Sequence, residues 1–476
     1  MRVLIVNTNR EKSPQAVIPL GAHLVAEATR RAGHEVRFAD LCFAHRPLAT
    51  LERALREQEF DVIGLSIRNL DNCDYCAPRT YLPAYRETVE TCRRHSQARI
   101  VVGGAAVSQA PAAMAEYLGV DAAVSGEGEL SFPALLQAWD SGGNATAIAG
   151  VTCGGWVKDA VNPLFPTLDL DGLPPLRPAL VENLSSYRSH DGSWPLQTKR
   201  GCALQCSYCA YPNIEGRGWR LRDPEAVAEE LTIARSSGLP FAEFVDGVFG
   251  LPQAHALACC EAAARAASAT RGRALPLCTM ELNPGAVTPE LVGAMNAAGF
   301  AAVAITAESG SAAMLSSYGK NYEVEALHRA ARLLRGLRGH KLWIFMLGGP
   351  GETADTVRET AAFLETLPTT DLVYVTHGVR VLPGTGLHER LKASGEIEPA
   401  DDLLWPRFYH SPEVTPQQSE KLLAECRFPS LNRVTASDGN HPLAGVAQRL
   451  ITGCGLKPPY WRYVRQINRL RRMVRL

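Results

Sequence analysis

The most informative segment of this 476-residue chain is Lys199-Arg200-Gly201-Cys202-Ala203-Leu204-Gln205-Cys206-Ser207-Tyr208-Cys209. It spaces three cysteines as CxxxCxxC on a loop that follows a predicted strand. Three thiolates at this spacing can bind three irons of a cubane [4Fe–4S] cluster and leave the fourth iron open to a small molecule. Zinc is disfavoured because structural zinc sites close their coordination shell, and no second CxxC pair follows at zinc-ribbon spacing. We therefore predict that Cys202, Cys206 and Cys209 are metal ligands rather than three unrelated thiols.

The region around this motif, residues 196–395, alternates predicted strands with predicted helices. Six such βα units predict a partial (β/α) barrel, whose chemistry takes place at the carboxyl ends of the strands. The predicted strands are Leu196–Arg200, Glu243–Asp246, Leu277–Leu282, Ala302–Thr306, Leu342–Met346 and Leu372–Thr376.

Residues 1–150 contain another run of βα units. The alternation predicts an α/β domain with a flavodoxin-like, doubly wound parallel sheet, which binds ligands at the carboxyl ends of its strands. The predicted strands are Arg2–Asn7, His34–Phe38, Asp61–Ser66, Ala98–Gly103 and Asp121–Ser125.

Two further regions are less regular. Prolines interrupt residues 151–195, which predicts a linker, and residues 396–476 are predicted to form a mostly helical C-terminal region. The tail from Lys457 to Leu476 has seven basic residues and no acid. It is expected to be a docked terminal helix, with a membrane or an anionic partner as the alternative.

Composition narrows the class of protein. The 49 basic and 49 acidic residues balance, so bulk charge gives no reason to expect a nucleic-acid partner. The apolar run at the N-terminus is too short for a signal peptide, so none is expected, and no transmembrane helix is expected because no apolar run is long enough. Thirteen cysteines without a secretory signal favour a reducing, cytoplasmic location.

The cysteine segment resembles the signature of the radical S-adenosylmethionine (SAM) superfamily, including the aromatic Tyr208 before the last cysteine. Further turns resemble this family in the expected order: FVDGVF at 244–249, ESGS at 308–311, GGPGET at 348–353 and RVLPGT at 380–385. Carboxylates at strand ends can pair with the cationic amino group of SAM. The resemblance implies SAM contacts from Tyr208, Asp246, Glu308, Ser309 and Gly349.

The N-terminal domain resembles that of the cobalamin-binding radical SAM enzymes. The matching turns are PLG at 19–21, GLS at 64–66, VGG at 102–104 and GEGE at 126–129. No Asp-x-His-x-x-Gly motif is present, so no imidazole ligand to cobalt is expected. Arg68 or Asn69 is expected beneath the corrin ring, with a salt bridge or a helix cap as the alternative for Arg68. The implied cobalamin contacts are Ser66, Arg68, Asn69, Gly103, Gly104, Gly126 and Glu127.

The resemblance implies an enzyme with three cofactors: a [4Fe–4S] cluster, SAM and cobalamin. It implies reductive cleavage of SAM, hydrogen abstraction from a small-molecule substrate, and methylation of an unactivated carbon. Flavodoxin or ferredoxin is the implied electron donor. The alternatives are a non-methylating radical reaction, such as cyclisation, ring contraction or oxidation, and an N-terminal domain that serves only for docking. The pair Cys73 and Cys76 is interpreted as incidental loop thiols, with a redox pair or second metal site as the alternative.

Overall fold

The computed structural model describes residues 1–12, 15–153, 168–269, 274–435 and 460–473. Most of the predicted linker's first half (154–167) and much of the predicted C-terminal region (436–459 and 474–476) lie outside the described residues.

The N-terminal domain is a six-stranded sheet with helices on both faces. The strand order is β2-β1-β3-β4-β5-β6, and every neighbouring pair is parallel except β5 and β6. This order over the first five strands is the flavodoxin-like one and confirms the predicted fold class. The strands are β1 (Arg2–Asn7), β2 (Glu35–Asp40), β3 (Val62–Ser66), β4 (Arg99–Gly103), β5 (Ala122–Val124) and β6 (Val151–Thr152). The helices are α1 (Leu20–Arg31), α2 (Pro47–Glu57), α3 (Leu82–His95), α4 (Ala105–Gln109), α5 (Pro111–Leu118) and α6 (Gly128–Ser141).

The central strands are apolar on both faces because each face is covered by helices. In β1, Val3 and Ile5 pack beneath α1 and α6, whereas Leu4 and Val6 pack beneath α2 and α3. This alternation follows from the two-residue period of a strand. A sheet buried on both sides exposes its ligand-binding surface only where the strands end.

The second domain is a seven-stranded, all-parallel sheet in the order β7-β10-β11-β12-β13-β14-β17. Helix α7 (Leu184–Ser189) precedes it. The strands up to 395 are β7 (Trp194–Leu196), β8 (Lys199–Arg200), β9 (Arg220–Leu221), β10 (Ala242–Phe244), β11 (Leu277–Leu282), β12 (Phe300–Glu308), β13 (His340–Leu347), β14 (Leu372–His377) and β15 (Val379–Arg380). The helices are α8 (Tyr211–Glu215), α9 (Pro224–Arg235), α10 (Gln253–Ser268), α11 (Pro289–Ala298), α12 (Ala312–Ser317), α13 (Val324–Leu333), α14 (Ala354–Leu364) and α15 (Gly386–Ala393).

The first predicted barrel strand, Leu196–Arg200, is two separate strands. β7 pairs with β10 only as far as Leu196, and the chain then leaves the sheet so that β8 pairs with β9 in an antiparallel hairpin. Asp246 causes the departure, since its carboxylate accepts hydrogen bonds from the amides of Thr198 and Lys199.

The C-terminal region contains two short strands as well as helices. Its elements are β16 (Phe408–Tyr409), α16 (Pro416–Glu425), β17 (Arg433–Thr435) and α17 (Val464–Met473). β17 extends the large sheet beside β14, a pairing that no local pattern predicts. Asn432 fixes this strand by donating from Nδ2 to the carbonyl groups of Thr369 (2.7 Å) and Asp371 (3.0 Å).

The basic tail docks onto the protein over its described part. Trp461 packs against Phe241, Cys278 and Ala302 near the amino ends of the barrel strands. Asn468 donates hydrogen bonds from Nδ2 to the backbone of Leu431 and Arg433. None of the described helices combines the length and the hydropathy needed to cross a bilayer.

Candidate active site

The cysteine loop lies at the carboxyl end of the barrel and is held by backbone contacts. The amide of Cys202 donates to the carbonyl of Gly216 (3.0 Å), and that of Ser207 donates to Tyr318 (2.9 Å). Gly201 has a φ of 84°, and a Cβ there would lie 1.9 Å from the carbonyl oxygen of Gly218. Only glycine fits, because both the left-handed backbone and the close approach exclude a side chain.

The three thiols of this loop fit an iron–sulfur cluster better than a single ion. Burial raises the pKa of Cys209 to about 12, and the neighbouring Cys206 and Cys202 raise it further. The three sulfurs therefore share one electrostatic environment. No group of three or more Cys, His, Asp or Glu side chains in the described ranges is arranged to hold a metal ion, whereas a cubane gives each thiolate its own iron.

Beside this loop, three polar side chains form a buried network. The Tyr208 hydroxyl donates to Glu308 Oε1 (2.7 Å), and Lys320 Nζ lies 3.3 Å from both the Glu308 carboxylate and the Tyr208 oxygen. Lys320 also lies over the rings of Tyr208 (5.8 Å) and Tyr322 (5.6 Å). This network leaves Glu308 Oε2 without a partner among the described residues. The sequence prediction included Tyr208 and Glu308 but missed Lys320, which belongs to no motif that we recognised.

Glu308 also carries backbone strain. Its φ is +59°, a region that costs a residue with a side chain about 1–3 kcal/mol and that clusters at functional sites. Glu308 is the last residue of β12, and the pairing register of β12 with β13 shifts between Thr306 and Glu308.

A second carboxylate in this region, Glu281 on β11, was not predicted. Burial raises its pKa to about 8, and the nearby Glu308 carboxylate adds to the shift. Its side chain makes no hydrogen bond or ion pair with the described residues. Glu281 therefore faces the same space as the cysteine loop without an internal partner.

Three predicted SAM contacts have partners within the protein. Asp246 Oδ1 accepts from the Thr198 amide (2.7 Å), and its Oδ2 accepts from the Thr198 hydroxyl (2.6 Å) and from Lys199 Nζ (3.1 Å). Ser309 is fully buried and bonds to the Thr360 hydroxyl (3.0 Å). A Cβ on Gly349 would lie 2.3 Å from the Tyr318 hydroxyl. These contacts fix the loops around the site, and SAM binding by the three residues stays a prediction.

On the N-terminal side, Arg68 lies in the loop after β3. Arg68 is exposed, but the surrounding protein lowers the pKa of its guanidinium by desolvation. The Glu243 carboxylate opposes this shift, and Tyr211 opposes it to a smaller extent. The barrel residues Glu243 and Tyr211 are therefore close enough to Arg68 to influence its charge. Arg68 makes no hydrogen bond or ion pair with the described residues, which excludes the salt-bridge alternative within them.

Arg68 lies where the two domains meet, on the side of the cysteine loop. Tyr211, which influences Arg68, donates its amide to Cys209 Sγ (3.4 Å). Helix α4 of the N-terminal domain packs against α8, the helix that follows the cysteine motif. The loop after β3 and the cysteine loop therefore face one another.

The predicted cobalamin contacts at the other strand ends are close to Arg68 but differ in role. Gly104 has a φ of +107°, and a Cβ there would lie 2.5 Å from the carbonyl oxygen of Ile67, so this glycine supports the loop that bears Arg68. Gly103 has ordinary contacts only, and Gly126 donates its amide to Ser108 Oγ (2.9 Å). Ser66 and Asn69 are both half-buried, and the backbone carbonyl of each accepts a hydrogen bond from a side-chain hydroxyl group.

Glu127, a predicted cobalamin contact, is bound within the protein. Its Oε1 accepts a hydrogen bond from Arg200 (3.2 Å) and forms an ion pair with Arg220 (2.6 Å), and its Oε2 accepts from the amide of Leu168. The residue is only 3% exposed, and its contact with cobalamin stays a prediction.

The CxxC pair stays an incidental feature. Both Cys73 and Cys76 are exposed free thiols, and surrounding protein raises the pKa of Cys73 to about 12. Between them, Tyr75 stacks on His410 with ring centroids 4.9 Å apart.

Comparisons with known proteins match both halves of this arrangement. The family model of the B12 binding domain matches residues 6–136, and that of the Radical SAM superfamily matches residues 196–364. The order of the two matches is that of the two domains.

Relatives and a solved structure extend the match to most of the chain. Tryptophan 2-C-methyltransferase of Streptomyces laurentii is 24% identical over 449 residues, covering 82% of this chain and 74% of that protein. Hopanoid C-3 methylase of Methylococcus capsulatus is 29% identical over 251 residues, covering 52% of this chain and 45% of that protein.

The structure of the radical S-adenosylmethionine methyltransferase TsrM from Kitasatospora setae, with cobalamin and a [4Fe-4S] cluster bound, has the same fold. It aligns with a TM-score of 0.84 at 22% identity, covering 100% of this chain and 99% of that one. With a B12 binding domain ahead of a radical SAM domain, the chain belongs to the cobalamin-binding radical SAM enzymes.

Proposed function

We propose that this enzyme transfers a methyl group from SAM, by way of cobalamin, to an unactivated carbon of a small-molecule substrate. The family membership and the methyltransferase names of several relatives support this reaction class. When bound, the three cofactors supply reductive cleavage of SAM and a cobalt carrier for the methyl group.

The observation that carries the proposal is the position of Arg68. Its guanidinium makes no hydrogen bond or ion pair with the described residues and lies at the domain junction, near Tyr211 and Glu243 of the barrel. A guanidinium has no lone pair to offer a metal and stays charged at ordinary pH. If cobalamin binds at these strand ends, Arg68 would offer it a fixed positive charge and no lone pair for the metal, while the cofactor would supply the methyl-carrying chemistry.

On the barrel side, we assign SAM positioning to Glu308 with Tyr208 and Lys320. The free oxygen of Glu308 is suited to the cationic amino group of SAM, because charge-assisted hydrogen bonds are about twice as strong as neutral ones. Lys320 and Tyr208 hold the other oxygen and fix the carboxylate. The cluster is assigned to Cys202, Cys206 and Cys209.

An external electron donor such as flavodoxin or ferredoxin is part of the proposal, because reductive cleavage consumes an electron that no side chain of the protein supplies. A non-methylating cobalamin reaction is the second candidate, since the same cofactors and the same site would serve it.

Product analysis separates the two candidates. The reconstituted enzyme would be incubated with SAM bearing a deuterated methyl group, a reductant and candidate substrates. Methyl transfer predicts a labelled product with one S-adenosylhomocysteine and one 5′-deoxyadenosine for each turnover. A product without label, formed without S-adenosylhomocysteine, would overturn the methylation proposal.

A further inference from the structure

A buried ion-pair network joins the two domains next to the cysteine loop. Arg200 donates to Glu127 Oε1 (3.2 Å) and to Glu129 Oε1 (2.6 Å), and its Nε donates to Gln197 Oε1 (2.9 Å). The side chains of Arg200, Glu127 and Glu129 are 7%, 3% and 7% exposed. We call this network the Arg200 clamp.

The two ends of the clamp lie at the two cofactor regions. Arg200 ends β8, two residues before Cys202, and the amide between them donates to Glu215 (3.0 Å). Glu127 and Glu129 lie at the start of α6, directly after the turn at Gly126 that ends β5. The clamp therefore connects the start of the cluster loop to a strand end of the B12 binding domain.

A second arginine reinforces the clamp. Arg220 pairs with Arg200 across the β8–β9 hairpin and forms an ion pair with Glu127 (2.6 Å). Two guanidinium groups of the barrel thus face two carboxylates of the N-terminal domain. Because a guanidinium is planar with fixed donor directions, this contact specifies orientation as well as distance.

Stability alone does not explain such a network. Replacing a buried ion pair with apolar side chains of similar volume is often neutral or stabilising, because desolvation of the charges offsets their attraction. In some proteins a buried polar or ionic group instead fixes one relative arrangement of the elements that it joins.

We propose that Arg200, Glu127 and Glu129 are positioning residues that fix the cluster loop relative to the B12 binding domain, and so set the separation of the cluster from cobalamin. This inference rests on the proposed function for its consequence, although the clamp itself joins the domains whatever reaction follows.

The test replaces the clamp with apolar side chains and compares it with an equivalent replacement elsewhere. The variant is Arg200→Met with Glu129→Met, which leaves Glu127 paired with Arg220. The matched control is Arg222→Met with Glu230→Met, a buried barrel pair (2.8 Å) that also holds the Gln197 carbonyl (2.7 Å) but does not cross to the N-terminal domain. Glu129→Gln, which keeps the side-chain shape, is a milder variant that should show the same changes at smaller size.

The main readout is electron paramagnetic resonance of the full-length enzyme with cob(II)alamin and the reduced cluster. Each centre has an unpaired electron, so the faster relaxation of one near the other depends steeply on their separation. We expect the clamp variant to keep wild-type iron and cobalamin content while its relaxation enhancement becomes weaker and heterogeneous. The control should match the wild type.

A second readout needs no cobalamin. Hydrogen exchange at residues 199–202 should become at least tenfold faster in the clamp variant and stay unchanged in the control. Unchanged relaxation in the clamp variant, equal changes in both variants, or loss of cobalamin from the clamp variant would each overturn the inference. If the wild type itself binds no cobalamin, the proposed function fails, and the exchange data alone decide whether the clamp holds the loop.

Discussion

Replacing Lys320 with methionine tests the electrostatic core of the barrel site. The Lys320 and Glu308 side chains are 5% and 9% exposed and lie 3.3 Å apart. Methionine restores most of the packing volume but removes the charge. Glu308 would then be a buried carboxylate held only by the Tyr208 hydroxyl.

The structure sets the size of the effect. At 3.3 Å and an effective dielectric constant of about 20, the attraction between the two charges is about 5 kcal/mol. Removing one partner of a buried pair costs about 3–5 kcal/mol, since the remaining charge stays desolvated. We expect Lys320→Met to lower the free energy of opening of the barrel by about 3 kcal/mol.

Hydrogen exchange at β12 and β13 in the cofactor-free protein measures this loss, because exchange reports opening of the elements that contain the pair. The matched control is Lys392→Met, whose pair with Glu389 is exposed and 3.8 Å long. Surface pairs contribute about 0–1 kcal/mol, so this control should change little. If Lys320→Met loses less than about 1 kcal/mol, the pair is not the buried, mutually dependent unit described above.

Three further changes have defined outcomes. Arg68→Ala should retain cobalamin and 5′-deoxyadenosine formation but lose methylated product, and Arg68→Lys should not fully restore it; wild-type methylation by Arg68→Ala would place the lower face of the corrin elsewhere. Burial raises the pKa of Glu352 from 4.5 to about 7, so this group's contribution to stability falls as pH rises through that window. The free energy of unfolding of Glu352→Gln, relative to that of the wild type, should therefore rise by up to about 3 kcal/mol between pH 5 and pH 8. Urea unfolding at the two pH values measures this, and the same relative stability at both would contradict the prediction. The double variant Cys73→Ser with Cys76→Ser should keep wild-type iron content, whereas a loss of iron would show that the CxxC pair binds metal.

The sequence predicted what local patterns determine. The three cluster cysteines lie within eight residues of one another, so their spacing could be interpreted without knowing the fold. The parallel sheets followed from the regular alternation of helices and strands, because parallel neighbours need crossover connections. Both domains were identified for these reasons.

The roles of the acidic residues could not be predicted in the same way. Asp246 and Glu127 were interpreted as cofactor contacts because each follows a strand. Their partners, Lys199 and Arg200, lie 47 and 73 residues away in the chain. These charged side chains come together only in the tertiary structure. The sequence alone does not show that Glu127 is the partner of Arg200. Lys320 was missed for the converse reason, since a single lysine in a helix–loop segment has no distinguishing pattern.

The most direct test of the account is whether one protein molecule holds both cofactors and methylates cobalamin. Anaerobically reconstituted wild type should contain about four irons and four sulfides per chain, together with one cobalamin whose cob(II)alamin spectrum lacks nitrogen splitting from a lower ligand. Reduced to cob(I)alamin and given SAM with a deuterated methyl group, it should form deuterated methylcobalamin and S-adenosylhomocysteine. The variant with Cys202, Cys206 and Cys209 changed to alanine should lose 5′-deoxyadenosine formation. A wild type that holds the cluster but binds no cobalamin, or a triple variant that still makes 5′-deoxyadenosine, would contradict the account.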